Sequence, residues 1–394
     1  MSDSAHPLLP AATPLLVADG TVQVGGVDGT DGLLLHPGAA LAPLLRGLDG
    51  RRSQRAVRAD AAREGLDPGL VDAALDALRT AGLLTDLAAA DLLAIGTGPA
   101  AAARAAVELP AAARAPSPPH GSAWRARRQA TVVVEGATRV GTPLAAVLAA
   151  SGVGRVVVRD SGVVTAADAV VGGLTAADEG RPRASAAADA VRRASPLTDL
   201  GPLPSGLGPD LTVLARPWAA SDPLVTGTGG AHLVATVRGE TGVVGPLVVP
   251  GATGCLHCAD LHRRDADRRW PRLAAQLTAT EAPPSGATLT CLLTALLAAG
   301  QVLAYLEDGG APVTLEGAVE LRPPDLLPSL RRWSAHAACG CGVAARAAAG
   351  PDGPFRASPG ATPAEQATMA AERAHGLTAH DTARGFPDAG EEDA

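Results

Sequence analysis

The stretch "ATVVVEGATRVGTPLAAVLAASGVGRVVVRD", Ala130 to Asp160, decides the fold class. An apolar run meets a glycine turn, "GATRVG" from Gly136 to Gly141, and an apolar helix pattern and a second β-branched run, Val156 to Val158, follow. Strand, turn, helix and strand make a βαβ unit, which implies parallel strands with a helix laid across them. Such a turn can set a phosphate against a helix N-terminus, so Gly136, Thr138 and Gly141 are candidate nucleotide-binding positions. Thr138 stands where a dinucleotide fingerprint has glycine for close approach of the backbone to the phosphates. Asp160, at the end of the second strand, lies a little beyond the ~20 residues at which a ribose-binding acid is expected. On these residues alone, a working nucleotide site and a nucleotide-type fold that binds nothing stand level.

Upstream, Thr13 to Asp86 reads as a second, smaller unit. "TPLLVADGTVQV" is two short apolar runs around Asp19-Gly20, a hairpin signal, and "GLLLHPG" is a third short strand. Helical patterns follow in "AALAPLLRGL" and "SQRAVRADAAREG". The best marked is "LDPGLVDAALDALRTAGLLTD", with Asp67 as cap, Pro68 in the first turn, and Val71, Ala74, Leu75 and Leu78 as one apolar stripe. Three strands and three helices in this space predict a winged-helix (α+β) domain over residues 10–88. The segment 89–127, with "APSPPHGS" at its centre, reads as an Ala/Pro-rich linker carrying some helix. Residues 128–345 are the α/β domain, and the tail 346–394 has too little apolar content to fold alone.

The chain has five cysteines in 394 residues, and four fall into two tight pairs, Cys255/Cys258 and Cys339/Cys341. The spacing predicts a tetrahedral thiolate site that closes a long loop, with no ligand position left for water, hence a structural Zn²⁺. His257 and His336 are near enough in sequence to substitute as ligands, and Cys291 reads as a small core residue.

Composition bounds the partners. The formal charge is -7 and all 33 basic residues are arginine, which gives no overall attraction to nucleic acid or to an anionic membrane. The best candidate recognition helix sets Asp67, Asp72 and Asp76 against Arg79, which repels phosphates. "MSDSAHPLLP" has neither the cationic start nor the apolar run of a signal peptide, so a cytoplasmic location is expected. Ala287 to Leu306 is uncharged and as long as a membrane span, but its Thr and Gln content and the Glu307-Asp308 flank favour a buried helix.

From Ala130 to Val343 the sequence resembles the ThiF/MoeB family, the adenylating relatives of ubiquitin-activating enzymes. The resemblance rests on the βαβ opening, on "GGLTAADEGRPRASAAADAVRRASP" after the second strand, and on "GVVGPLVVPGATGCLHC" leading to the first cysteine pair. The N-terminal unit is similar to the PqqD-like peptide-recognition element. That element joined to such a domain, with "CLHCADLHRRDADRRWPRLAAQL" and "HAACGCG", resembles the leader-peptide-binding component of thiazole/oxazole-modified peptide synthesis. The resemblance implies a Rossmann-like fold with a mainly parallel sheet, a structural Zn²⁺ and an ATP site.

Several positions depart from the adenylating pattern. The segment after the second strand, "GGLTAA", lacks that family's arginine, and Arg183 stands where the following helix has lysine. A metal-holding aspartate should follow "PDLTVLA", where the chain has Arg216-Pro217-Trp218, with Asp222 a few positions late. Without that carboxylate, phosphoryl chemistry loses its main electrostatic support. The resemblance therefore implies a leader-binding scaffold that presents a precursor peptide to a YcaO-type cyclodehydratase, with ATP as a cofactor only if the altered site still holds it. The alternative is an active ATP-dependent adenylyltransferase of the ThiF/MoeB type. A homodimer is a further expected assembly. The expected peptide groove lies beside the third strand, Leu33, Leu34, Leu35 and His36, and is bordered by Asp72, Asp76 and Arg79 of the last helix.

Overall fold

A computed structural model describes residues 4–26, 32–95, 99–114, 122–195, 197–216, 229–279, 285–307 and 311–344. The tail 346–394 and Pro217, Trp218 and Asp222 lie outside the described residues.

The N-terminal unit contains β1 (His6–Leu8), β2 (Leu15–Ala18), β3 (Thr21–Gly25), β4 (Gly32–Leu35), α1 (Ala42–Arg46), α2 (Gln54–Arg63), α3 (Pro68–Thr80) and β5 (Thr85–Leu87). Strands β2, β3 and β4 form an antiparallel sheet in that order, so β4 is an edge. The β2–β3 turn uses Asp19 and Gly20 at φ 49° and 77°, the left-handed pair that matches the twist of a tight hairpin. Asp67 accepts the Gly69 N–H at 3.2 Å ahead of α3, and Val71, Ala74, Leu75 and Leu78 are buried as one stripe. They pack with Val22, Val24, Leu45 and Val57 in one core. Two strands carry no pattern in the sequence: β1 and β5 pair with each other and close the ends of the unit together. Each is three residues long, too short for a two-residue period to register.

The stretch expected as a linker is packed where it is described. Helices α4 (Ala89–Leu93), α5 (Pro99–Arg114) and α6 (Ala123–Gln129) bring Ala105, Leu109, Ala112 and Trp124 against Leu8 and Leu87. The buried Asp91 accepts from Arg125 at 2.7 Å and from the Ser122 hydroxyl. Arg127, equally buried, pairs with Glu307 at the far end of the second domain. Alanine-rich sequence hides this, because its buried face differs from its exposed face by position alone.

The second domain runs β6 (Thr131–Glu135), α7 (Gly141–Ala150), β7 (Arg155–Arg159), α8 (Arg183–Ala194), β8 (Leu211–Leu214), β9 (His232–Arg238), β10 (Thr241–Val248), α9 (Leu256–Ala266), α10 (Trp270–Ala279), α11 (Thr288–Leu306), β11 (Gly317–Leu321) and β12 (Pro328–Arg332). The sheet order is β12-β11-β10-β9-β8-β6-β7. Neighbours from β7 to β9 are parallel, and β9 to β12 continue as an antiparallel meander. This is an α/β fold with a mostly parallel central sheet. Leu211, Val213, Leu233, Ala235 and Val237 point into the core with α7 and α11, while Leu214 and Val234 meet Leu256 on the other face. Cover on both faces explains why these strands read as unbroken apolar runs.

Candidate functional site

The glycine turn lies at the carboxyl ends of the parallel strands, where ligands bind in open α/β sheets. Gly136 has φ +114°, and a Cβ there would sit 2.7 Å from Arg216 Cγ. At Gly141 a Cβ would lie 2.1 Å from the Gly136 carbonyl oxygen, so neither position admits a side chain. Thr138, between them, uses its hydroxyl within the chain. It donates to the Ala215 carbonyl at 3.2 Å and accepts the N–H groups of Val140 at 3.3 Å and Gly141 at 3.0 Å. Those N–H groups open α7 and are the ones a phosphate would engage. Arg139 reaches across to the entry of α11, donating to the Gly286 carbonyl at 2.6 Å and to the Thr288 hydroxyl at 2.8 Å. Asp160 accepts the Ala137 N–H at 2.8 Å and the Gly162 N–H at 2.8 Å. Arg183 Nη2 donates to both carboxylate oxygens of Asp168 at 2.9 and 2.7 Å, and its Nε to the Val163 carbonyl at 3.0 Å. Arg216 is exposed at the end of β8. Of the five nucleotide positions read from the sequence, Gly136, Thr138, Gly141 and Asp160 come together, and Arg183 is held on Asp168. Thr138 thus spends its hydroxyl on the two α7 amides that a phosphate would engage, while Arg139 Nε and the Thr142 hydroxyl are buried without a partner among the described residues.

The cysteines form a second centre. Cys255 precedes α9 and Cys258 lies in its first turn, while Cys339 and Cys341 sit on the turn after β12. The four Sγ atoms all lie within 4.8 Å of one another. Cys255 to Cys258 is 3.8 Å, Cys255 to Cys339 3.5 Å and Cys258 to Cys341 3.6 Å. A tetrahedral ion with sulfur ligands at ~2.3 Å spaces its ligands about 3.8 Å apart, so the donor set fits a thiolate-bound cation such as Zn²⁺. Burial pushes the Cys258 and Cys339 thiols above their usual range, which a bound cation would reverse by stabilising thiolate. Neither histidine named as a substitute ligand joins the group. His257 is exposed, and His336 donates from Nε2 to Asp265 at 2.7 Å while its Nδ1 accepts the Ala338 N–H at 3.1 Å.

Residues 122–228 match the ThiF family model, over the span that carries the turn and the strand it leans on. These residues are a ThiF-family domain. No curated protein sequence matches the chain. Among solved structures, the chain is similar to E. coli MccB bound to ATP, with TM-score 0.56 and 13% identity over 85% of this chain and 99% of that one. It is similar also to the microcin C7 biosynthetic enzyme MccB in complex with N-formylated MccA, with TM-score 0.54 and 13% identity over 85% and 99%. The heterocyclase TruD aligns at TM-score 0.49 and 15% identity, over 84% of this chain and 42% of that one. At these identities the likeness to MccB is one of fold.

Ahead of the ThiF-family domain, β4 offers a free edge. Leu35 is buried, Leu33 half-buried, Leu34 63% exposed and His36 exposed, the two-residue alternation of a strand with one face on the core. The charges of α3 lie elsewhere than expected. Asp72 accepts from Gln54 at 2.9 Å and pairs with Arg58 at 3.3 Å, both on α2. Arg79 donates to Asp86 on β5 at 2.7 and 2.9 Å, to Asp76 at 2.8 Å and to Gln54 at 2.7 Å. Asp72 and Arg79 thus tie α3 to α2 and β5, and Asp76 braces Arg79 from within the helix. The opposite flank of α3 carries half-buried Leu70 and Ala77. Sequence reading passed over Arg139 altogether, although a second non-glycine residue beside Thr138 was its visible signal.

Proposed function

We propose that the chain is a leader-peptide-binding scaffold of ribosomal peptide (thiazole/oxazole) biosynthesis. In this reading the N-terminal unit is a winged-helix, PqqD-like element that takes a precursor leader as an added strand along Leu33 to His36. The α/β domain docks a YcaO-type cyclodehydratase, which carries out the ATP-dependent heterocyclisation. Cys255, Cys258, Cys339 and Cys341 hold a structural Zn²⁺, which when bound cross-links the start of α9 to the turn after β12. The chain's own residues bind and orient, and none is assigned a catalytic role.

The observation that carries the reading is the Thr138 hydroxyl, bonded to the amides a phosphate would need. Arg216, in place of an acidic metal ligand, argues the same way. A second reading, an ATP-dependent adenylyltransferase, draws on the ATP complex of MccB, a protein of the same fold. One experiment separates them. The full chain is titrated with the fluorescently labelled leader of a Cys/Ser/Thr-rich precursor sought among the neighbouring genes, and pyrophosphate exchange is measured in parallel. Saturable binding that Leu34→Asp weakens, with negligible exchange, is expected. Exchange at ~1 per second or faster establishes the adenylyltransferase, and absence of leader binding defeats the scaffold reading.

A further inference from the structure

The four cysteines stand on two kinds of backbone. Cys255 caps α9 and Cys258 lies within it. Cys339 and Cys341 lie on a stretch that leaves β12 at Arg332 and reaches them through residues 333–338 with neither strand nor helix. Such a stretch has no ladder to hold it, and the entropy of ordering it opposes metal binding unless the fold has ordered it already. Helix α9 does this. Cys258, Leu261, His262 and Asp265 stand at i, i+3, i+4 and i+7, one stripe of the helix. Leu261 is buried in one cluster with Cys258, Cys339 and Ala335. Beyond it, His262 Nε2 donates to the Ser334 carbonyl at 3.0 Å, and Asp265 accepts from His336 Nε2 at 2.7 Å. The two imidazoles meet edge to face, with centroids 4.8 Å apart and planes at 75°. His336 Nδ1 accepts the Ala338 N–H at 3.1 Å, which leaves the ring proton on Nε2, where the Asp265 carboxylate takes it up. The His336 carbonyl accepts the Cys339 N–H at 2.9 Å. Gly254, just ahead of Cys255, gives the same stretch room, since a Cβ there would lie 3.2 Å from Ala335 Cα.

We propose that His262, Asp265 and His336 form a clasp that holds the Cys339–Cys341 turn in ligand position before a cation binds, and so sets the affinity of the thiolate site. The inference rests on reading the four cysteines as a cation site. The three residues are not ligands: the four thiols already supply a tetrahedral set, and among the described residues no imidazole or carboxylate joins it. They are positioning residues, which act on the thiols through the backbone of the turn. The bonds from His262 to Ser334 and from His336 to Asp265 cross the same gap, between α9 and the turn, that a bound cation spans. Each contact made without the metal therefore reduces the ordering left for metal binding to impose. The polar residues of α9 outside this stripe serve another neighbour. Asp260 accepts from Arg263 at 2.8 Å and from the Trp270 indole at 3.3 Å, and Arg263 lies over the Trp270 ring at 5.1 Å, so that flank holds the start of α10.

The test is competition for zinc between the full chain and a chromophoric chelator, with Co²⁺ absorption as the check on the ligand set. His336→Ala is expected to weaken zinc binding by roughly tenfold or more, the loss met when the outer partners of a metal site are removed. His336→Gln, whose amide can still donate to Asp265, is expected to recover most of that loss. Asp265→Ala is expected to lose less than His336→Ala, and the double variant no more than His336→Ala alone, the mark of one shared contact. All variants are expected to keep the thiolate-to-cobalt absorption of a tetrahedral site and the circular dichroism of wild type. Zinc affinity within about twofold of wild type in both His336→Ala and Asp265→Ala overturns the inference. So does a lower melting temperature at unchanged zinc affinity, which assigns the three residues to the fold alone, and so does loss of the tetrahedral cobalt spectrum in His336→Ala, which makes His336 a ligand. A wild type that binds neither zinc nor cobalt defeats the cation reading itself and the clasp with it, a result read before any variant is compared.

Discussion

The cysteine cluster and the glycine turn belong to one domain and treat their polar atoms in opposite ways. Four thiols from segments 83 and 84 residues apart converge until each lies near the others, and among the described residues no carboxylate or histidine joins them. In the turn, Thr138, Arg139 and Asp160 each bond to the chain itself, to β8, to the entry of α11 and to the Ala137 amide. The first region is a donor set whose spacing fits a cation. The second spends most of its polar atoms on the chain itself, with Arg139 Nε and the Thr142 hydroxyl left buried without a partner among the described residues. Residue type suggests a site in both; which atoms already have partners separates them.

The largest effect expected on that comparison comes from the cysteines. Cys258→Ser, or extraction of the metal with a strong chelator, should lower the melting temperature by about 10 °C or more, because metal binding and folding are coupled. Metal analysis of wild type should find one zinc per chain; no zinc, or an unchanged melting temperature, would put the cluster in the same class as the turn. The turn should respond less. Thr138→Val keeps the shape and removes the hydroxyl, leaving the Val140 and Gly141 amides and the Ala215 carbonyl short of a partner, at ~1–2 kcal/mol and a few degrees. MgATP should leave the wild-type melting temperature where it is. A clear rise with MgATP, together with no loss in Thr138→Val, would show that the turn is a ligand site after all.

The smallest effect concerns the sheet between the two regions. His232 starts β9, between the strand that meets the turn and the strand that leads to the cysteines, and donates from Nδ1 to the Gly230 carbonyl at 3.0 Å. Burial holds its pKa below the ordinary value of 6.5, and the Gly230 bond opposes this weakly. The unfolded chain therefore takes up a proton at higher pH than the folded one. Its contribution to stability is complete above about pH 6.5 and is lost as pH falls through the lowered folded value. Denaturant unfolding between pH 7 and 5 should show this slope, and His232→Asn should flatten it.

The sequence alone determined the α/β class, the hairpin at Asp19-Gly20, the stripe of α3 and the pairing of the cysteines. Each is written in neighbouring residues: a two- or three-to-four-residue period, a turn dipeptide, a ligand spacing. Tertiary structure decided the rest. Arg139 bonds a carbonyl 147 residues away, which no local pattern encodes. Asp72, Asp76 and Arg79 occupy the flank of α3 that the pattern allowed, and the packing of α2 and β5 chose what they meet. In α11 the sequence specified an apolar helix, and only packing on α7 and the sheet decided that Leu289 and Leu296 face outward while Leu297, Leu303 and Leu306 lean on the core. Local sequence sets which face of an element is apolar; the neighbours that close on that face, and the bonds that use up its polar atoms, exist only once distant segments meet.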